Sequence, residues 1–375
     1  MASMSAARAE RLQRSLSSLA RAGGPLDSFA WDALDVLGGA VPHDLGCLAM
    51  TDPATGLVTR TFKVGLPDHL DSEVARFEYE VDDVNLFRDL VHRPCPVGVL
   101  DLDTGGRPER SARWRELLVP QFGQAHELRS VFRSGGAGWG LLAVFRPSGA
   151  TGFSPDEAAL VGHVATLIGG GLRAALVAST ASDAESSTGP AVLVVGADDR
   201  LAQLTAAGER RLAELGGAPG SVLPLPLLSV VAAARAFAAG RSAVPPRLRV
   251  RAPSGQFLVV HAAPLAGTTA GGRDVVLTVE EACPPDVVSL VAAAFGLTER
   301  ECDIVTHALR GADTQEIARR LYLSPYTVQD HLKSIFDKSG VRSRRELVSR
   351  IFLDQYAPRL GSALTPSGCF RPAPR

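Results

Sequence analysis

Three helix-start motifs lie within residues 297–352, near the C-terminal end of the chain. In each motif a Thr, Asp or Ser is followed three positions later by Glu, and apolar residues then recur at helical spacing. The pairs are Thr298 with Glu301, Asp313 with Glu316, and Ser343 with Glu346. The first residue of such a capping box accepts a hydrogen bond from an N–H group that has no partner in the first helical turn. The spacing therefore predicts short helices that begin at defined residues.

A fourth helix is predicted to begin at Ser324, whose hydroxyl can cap it, with Pro325 at the favoured first position. Each predicted helix has one apolar stripe, so the four helices can close around a small core. Only Tyr322 and Leu323 separate the second helix from the third, which is the short connection of a helix-turn-helix. The third helix then has an outward face that is available for DNA. This face carries Asp330, Lys333, Ser334 and Asp337, with Thr327 and Gln329 on its flanks.

The sequences LTERE, EIARRL, LSPYTVQDHLK and VRSRREL, which start at residues 297, 316, 323 and 341, resemble the LuxR-type helix-turn-helix family in order and spacing. The resemblance implies an all-α, four-helix domain over residues 286–356 that binds double-stranded DNA as a dimer and regulates transcription. Family positions that commonly face phosphates or bases correspond here to Ser324, Thr327, Gln329, Asp330, Lys333, Lys338 and Arg344.

One departure from the family pattern bears on DNA recognition. The residue after Thr-Val is often basic in the family but is Gln329 here, and the acidic Asp330 follows it. This departure predicts weaker attraction to phosphates and a different choice of bases. In the major groove, Gln329 can pair with adenine, Asp330 can accept from cytosine N4, and Lys333 can reach guanine or a phosphate. The alternative is that Asp330 and Asp337 form only a solvated face.

Charge is distributed unevenly along the chain. The net charge of −1 for 375 residues argues, by itself, against binding to nucleic acid. Residues 297–352, however, carry ten basic and eight acidic residues, whereas residues 1–296 carry 26 basic and 31 acidic residues. The excess of two positive charges is modest for a DNA-binding domain. We therefore expect useful affinity to require a dimer, which doubles the phosphate contacts.

The length, the 46% of hydrophobic residues and the 21% of charged residues are typical of a soluble protein of two or three domains. In residues 1–178, the runs Cys47–Thr51, Leu57–Lys63 and Trp139–Arg146 are predicted strands, and glycines 135, 136 and 138 predict a hairpin turn rather than a nucleotide-binding loop. Ser154 and Glu157 predict the start of a long helix. The layout, particularly over Gly138–Leu176, resembles a GAF domain, which implies a small-ligand or dimerisation module.

The polar segment 179–190 is predicted to be a flexible linker to a second unit at 191–282. This unit begins with the strand Ala191–Val195, continues with a helix that includes Leu204 and Leu215, and ends with three strands. The order resembles a PAS domain, although Thr205 stands where many PAS domains have asparagine, and a second GAF-like module is the alternative. The tail at 357–375 is rich in Pro, Gly and Ser and is predicted to be disordered.

Several other classes of protein are disfavoured by the sequence. Five scattered cysteines and eight histidines show no metal-ligand spacing, and no P-loop or catalytic motif is present. No receiver pattern for phosphorylation precedes the helical domain. The most membrane-like stretch, Ala158–Ala178, contains His163, three consecutive glycines and Arg173, and is predicted not to span a bilayer. An N-terminal amphipathic helix with Leu12, Leu16 and Leu19 is expected to pack on the first unit or on a partner subunit.

The fold class predicted is therefore multidomain α+β, with GAF-like and PAS-like α/β sensory units followed by an all-α LuxR-type domain. The chain is predicted to be a cytoplasmic, non-enzymatic transcriptional regulator whose upstream units control DNA binding. It is expected to form a homodimer and to have RNA polymerase as a further partner. No cofactor is identified, and the ligand of the upstream units stays open. The alternatives are a signalling scaffold that uses the helical domain for dimerisation and, less favoured, an enzyme concealed in the upstream units.

Overall fold

The computed structural model describes residues 2–178, 190–265, 273–282 and 284–348. It contains two five-stranded antiparallel sheets, each with its own helices, followed by a group of five helices. An α+β architecture with two sheet units and a helical C-terminal domain was predicted, and it is confirmed. The predicted linker up to residue 189, the predicted tail and residues 349–356 lie outside the described residues.

The first unit folds around one sheet with the strand order β2-β1-β5-β4-β3. Its strands are β1 (Leu45–Thr51), β2 (Val58–Val64), β3 (Val97–Val99), β4 (Gln124–Ser134) and β5 (Ala137–Pro147). Its helices are α1 (Ala2–Ala22), α2 (Leu26–Ala40), α3 (Asp71–Tyr79), α4 (Phe87–Leu90), α5 (Leu100–Asp103) and α6 (Pro155–Ala178), with a π-helix at Trp114–Phe122.

The three strands predicted in this unit are present as β1, β2 and β5. The predicted hairpin is also confirmed, because Gly135 and Gly136 join β4 to β5 with φ angles of 61° and 82°. Two successive residues with positive φ form the type I′ turn that suits the twist of a two-residue hairpin. Strands β3 and β4 and the short helices between β2 and β4 were not predicted, because their apolar residues follow no regular period.

Helix α6 is the long helix predicted after Ser154. The hydroxyl of Ser154 accepts from the N–H of Glu157 at 3.2 Å, and Oε2 of Glu157 accepts from the N–H of Ser154 at 2.9 Å, which completes the capping box. The stretch Pro155–Val177 is long and apolar enough to cross a membrane, but 56% of its most apolar window is buried inside the protein. It packs on β4 and α1, and a Cβ at Gly169 would lie 2.7 Å from the carbonyl oxygen of Arg133. Close helix-to-sheet packing therefore explains its composition.

The second unit has a sheet with the strand order β7-β6-β10-β9-β8, which in chain order repeats the arrangement of the first sheet. Its strands are β6 (Ala191–Val195), β7 (Leu201–Leu204), β8 (Arg247–Arg251), β9 (Phe257–Pro264) and β10 (Val275–Glu281). Its helices are α7 (Ala206–Glu214) and α8 (Leu225–Ala238). Thr205 precedes α7 as its N-cap and accepts from the N–H of Gly208 at 3.0 Å. Strand β6, helix α7 and the three final strands were predicted, but the prediction was wrong for Leu204, which lies in β7 and not in the helix.

Helix α8 was not predicted, because it is apolar on almost every side and lacks the period of an amphipathic helix. It lies between its own sheet and the first unit, where it packs against α3 and β2. The hydroxyl of Ser229 in α8 donates to the carbonyl of Val58 in β2 at 3.4 Å. The two sheet units are therefore joined by a buried helix.

The C-terminal helices are α9 (Pro284–Ala294), α10 (Glu299–Leu309), α11 (Thr314–Leu321), α12 (Pro325–Ser339) and α13 (Arg344–Val348). The four helices predicted from the capping motifs correspond to α10–α13. Their side chains form the expected small core, which includes Ile304, Val305, Ile317, Val328, Leu332, Ile335 and Leu347. Helix α9 leads into this core and also packs on α6.

Only the first of the three capping boxes in this domain is complete. Thr298 and Glu301 exchange hydrogen bonds between side chain and backbone in both directions. Asp313 and Ser343 accept from the N–H groups of Glu316 and Glu346, as predicted, but the return bonds are absent. Glu316 instead pairs with Arg320 one turn later at 2.6 Å. Competing partners within reach of the glutamates account for the difference.

Candidate nucleic-acid interface

The turn between α11 and α12 is short, and hydrogen bonds hold both of its ends. Helix α11 ends at Leu321, and the next residue, Tyr322, caps it in the left-handed backbone conformation φ 55°, ψ 43°. The N–H of Leu323 then donates to the carbonyl of Ala318 at 2.9 Å. Ser324 starts α12 by accepting from the N–H of Thr327 at 3.0 Å, and Pro325 occupies the first helical position. The two helices are thus connected as in a helix-turn-helix.

Helix α12 has one buried side and one exposed side. Val328, Leu332 and Ile335 are buried in the domain core. Gln329, Asp330, Lys333 and Asp337 are exposed, and their side chains make no hydrogen bond or ion pair with any residue in the described ranges. A row of unengaged polar groups on an exposed helix is what base recognition in a major groove requires.

Ser324 and Thr327 lie at the exposed start of α12. Their hydroxyl oxygens are 2.8 Å apart, so the two side chains form a hydrogen bond with each other. These hydroxyls lie at the N-terminal end of the helix, where a phosphate is favoured.

Lys338 contacts the interior of the domain. Its Nζ lies 2.6 Å and 2.9 Å from the two carboxylate oxygens of Glu301, which is only 3% exposed. Burial by itself raises the pKa of Glu301, but the hydrogen bonds from Lys338, from the N–H of Thr298 and from Ser334 outweigh it and lower the pKa to about 2. Lys338 therefore links the C-terminal part of α12 to α10.

Ser334 was predicted on the outward face of α12. In the structure its hydroxyl donates to Oε1 of Glu301 at 2.7 Å. The prediction was wrong for this residue because it used the helical angle alone, and α10 lies beside that part of α12.

Arg344 also acts within the domain. Its Nη2 donates to the carbonyls of Ala312, which follows α10, and of Ala308 in α10, the latter at 2.9 Å. The guanidinium thus satisfies carbonyls at the C-terminal end of a helix, where a positive charge is favourable. Of the seven site residues predicted, five lie together at the start and on the exposed side of α12, and Lys338 and Arg344 hold neighbouring helices.

Two exposed tyrosines extend this surface and were not among the predicted site residues. Tyr322 is 96% exposed in the turn, and Tyr326, in the first turn of α12, is 73% exposed. A tyrosine with positive φ is unusual, because its Cβ is strained in the left-handed region. The sequence did contain a signal for this pair: two tyrosines lie four positions apart, and neither falls on the apolar stripe of a predicted helix.

Comparison with known proteins identifies this domain. Residues 296–351 match the family described as bacterial regulatory proteins, luxR family. The C-terminal domain is therefore a LuxR-type helix-turn-helix domain, as the sequence motifs predicted.

Two transcriptional regulators are similar to a short stretch of this chain. The monoamine regulon transcriptional regulator of Klebsiella aerogenes is 46% identical over 57 residues, which are 15% of this chain and 25% of that protein. The CsgBAC operon transcriptional regulatory protein of Escherichia coli is 43% identical over 53 residues, which are 14% of this chain and 24% of that protein. The match thus spans about a quarter of each relative.

Among solved structures, the Vibrio cholera VqmA–ligand–DNA complex is similar over 49% of this chain and 87% of that chain, with 15% identity and a TM-score of 0.23. This score is too low to relate the domain arrangements of the two proteins. The family match lies in the C-terminal helices, so the GAF-like and PAS-like character of the two sheet units stays a prediction.

Proposed function

We propose that this protein is a DNA-binding transcriptional regulator and that α12 is its recognition helix. The observation that carries the proposal is the row of unengaged Gln329, Asp330 and Lys333 on the exposed side of a LuxR-type domain. In the major groove, Gln329 pairs with adenine, Asp330 accepts from cytosine N4, and Lys333 reaches guanine or a phosphate. Ser324 and Thr327 hold a phosphate at the start of the helix.

Lys338 and Arg344 have a positioning role in this proposal. Their contacts with Glu301 and with the carbonyls of Ala308 and Ala312 hold α12 and α13 against α10. Lys338 keeps a partly exposed ammonium group, so it also adds to the positive potential near DNA.

The regulatory part of the proposal concerns the two sheet units. They act as GAF-like and PAS-like sensors in a cytoplasmic homodimer and change how two helix-turn-helix domains are held relative to half-sites about one helical turn apart. RNA polymerase is a further partner. The contacts of α8 with α3 and β2, and of α9 with α6, support transmission of a change from the sheet units to the DNA-binding domain.

The test is a fluorescence anisotropy titration of selected genomic DNA with the full-length protein at several salt concentrations. We expect binding that depends on the DNA sequence. We expect Lys333→Ala to weaken this binding and to reduce the slope of log K against log salt concentration by about 1 per subunit. Arg200→Ala is the matched control, because it removes an exposed positive charge from the second unit.

Binding that does not depend on DNA sequence would contradict the proposal, and so would an unchanged affinity in Lys333→Ala. The latter result, together with intact cellular function, would favour the scaffold alternative.

A further inference from the structure

Tyr326 shares one face of α12 with the residues proposed to recognise bases. Gln329, Asp330 and Lys333 lie three, four and seven positions after it in the same helix. At about 100° per residue, Tyr326 lies about 20° from Lys333 and about 60° from Gln329 around the helix axis. Residues at this spacing form one side of a helix. Tyr326 therefore faces the same groove of DNA as the three polar residues.

The tyrosine side chain has no role in the packing of the domain. The core side of α12 consists of Val328, Leu332 and Ile335, and Tyr326 lies roughly opposite to it. Tyr326 is 73% exposed, and within the part of the chain that the structure describes its ring and hydroxyl make no hydrogen bond, ion pair or ring contact. The stability of the domain does not account for a tyrosine at this position.

The start of α12 holds Tyr326 in a defined position. Ser324 accepts from the N–H of Thr327 at 3.0 Å, and Pro325 occupies the first helical position directly before the tyrosine. Side chains in a helix lean toward its N-terminus, and in a helix-turn-helix this end of the recognition helix contacts base edges. A tyrosine has only two side-chain torsions, so ordering its ring against DNA costs little entropy.

The ring supplies the apolar group that the other three side chains lack. Gln329, Asp330 and Lys333 offer hydrogen bonds and charge. In the major groove, the apolar feature of the bases is the C5-methyl group of thymine, which apolar and aromatic side chains contact. The ring of Tyr326 is the group on this face that matches a thymine methyl.

A contact between the tyrosine hydroxyl and a phosphate is the other way to use this residue, and Asp330 opposes it. The two residues are four positions apart, so their Cβ atoms lie about 6 Å from each other. The carboxylate of Asp330 is exposed and has no ion pair with a residue in the described ranges. Its negative charge repels a phosphate beside Tyr326, whereas a methyl group is indifferent to it.

We propose that Tyr326 specifies a thymine by contact of its ring with the C5-methyl group in the major groove. The assignment rests on the proposed function, because it requires α12 to lie in that groove. Tyr326 and Gln329 are about 4.5 Å apart along the helix axis, little more than the about 3.4 Å between successive base pairs. The thymine therefore lies close to the base pair that Gln329 recognises.

The test is an anisotropy titration of the full-length protein with duplexes of the selected DNA site in which each thymine in turn is replaced by deoxyuridine. The replacement removes only the C5-methyl group and keeps the base pair with adenine. We expect it to weaken binding about fourfold at one thymine of each half-site, which is the effect of withdrawing one methyl group from apolar contact. This measurement needs no variant of the protein.

Three variants assign the effect to the ring. Tyr326→Ala should bind the thymine and deoxyuridine duplexes equally at that position, and Tyr326→Phe should keep the fourfold ratio because it keeps the ring. Tyr322→Ala is the matched control, since it removes the other exposed tyrosine, which lies in the turn before α12. It should keep the ratio whatever its effect on overall affinity. Melting temperatures confirm that each variant is folded.

The proposal is overturned if the protein binds thymine and deoxyuridine duplexes equally at every position, or if Tyr326→Ala keeps the ratio. Loss of the ratio in Tyr326→Phe would also overturn it, because the hydroxyl would then be responsible. Each of these results, obtained with binding that still depends on DNA sequence, leaves the proposed function standing. Binding of the unmodified protein that does not depend on DNA sequence would contradict the proposed function and this assignment together.

Discussion

Asp52 and Arg249 form a buried ion pair that joins the two sheet units. Nε of Arg249 donates to Oδ2 of Asp52 at 2.9 Å, and Nη2 donates to Oδ1 at 2.5 Å. The backbone N–H of Arg249 donates to the same carboxylate at 2.9 Å. Nη1 of this guanidinium also reaches Ser289 in α9 at 2.8 Å. One side chain thus contacts the first unit, the second unit and the helix that leads into the DNA-binding domain.

Removing the acidic partner of this pair should destabilise the protein strongly. Asp52→Ala leaves the Arg249 guanidinium buried and without its carboxylate, which we expect to cost about 3 to 5 kcal/mol of the free energy of unfolding. Denaturant titration of the full-length protein measures this loss. Asp35→Ala is the control, since this residue is exposed on α2, and it should change stability by less than about 0.5 kcal/mol. Equal effects of the two substitutions would contradict the role assigned to Asp52.

The Glu301–Lys338 pair should make the stability of the C-terminal domain depend on pH. The folded-state pKa of Glu301, about 2, lies below its ordinary value of 4.5. A lowered pKa stabilises the folded state above the unfolded-state pKa, and this stabilisation is lost as pH falls from about 5 to 2. We expect the loss to be on the order of 2 to 3 kcal/mol by denaturant unfolding at pH 7, 4 and 3.

Glu301→Gln should lower stability at pH 7 and flatten this part of the pH profile. Glu299→Gln, at an exposed position of the same helical turn, should leave the profile unchanged. An unaltered pH dependence in Glu301→Gln would show that other carboxylates are responsible.

Tyr322 should be less favourable for stability than glycine. Because the left-handed conformation strains a Cβ atom, Tyr322→Gly is expected to stabilise the domain by about 1 kcal/mol. Arg319→Gly, at an exposed position inside α11, is expected to destabilise it by about 1 kcal/mol. If Tyr322 contacts DNA, the stabilised variant should also bind DNA more weakly. Thermal melting and anisotropy on the same samples measure both effects, and lower stability in Tyr322→Gly would refute the strain argument.

Gln329 should specify a base rather than supply general affinity. We expect Gln329→Ala to remove about 1 to 3 kcal/mol of discrimination at one base pair of the selected site, while binding to unrelated DNA stays the same. Anisotropy against single-base variants of that site measures the effect. Asp337→Ala, three turns from the start of α12, should preserve the preference. If Gln329→Ala weakened binding equally on every DNA sequence, Gln329 would contact the DNA backbone instead of a base.

Local sequence signals were sufficient for the C-terminal domain. Thr298, Asp313, Ser324 and Ser343 each cap a helix where the spacing predicted one, because capping and helical period depend on residues three or four positions apart. The same signals placed five of the seven predicted site residues on one surface. The hairpin at Gly135 and Gly136 was predicted from an equally local signal, the two adjacent glycines.

The tertiary structure decided how those elements use their side chains. The sequence by itself determined a LuxR-type domain after two mixed units, but not that Lys338 turns to Glu301, 37 positions away, or that Arg344 binds carbonyls near α10. It also gave no sign of helix α8 or of the pair between Asp52 and Arg249, which are 197 positions apart. Hydrogen bonds and ion pairs depend on distances in space, which the spacing along a chain determines only within one helix or turn.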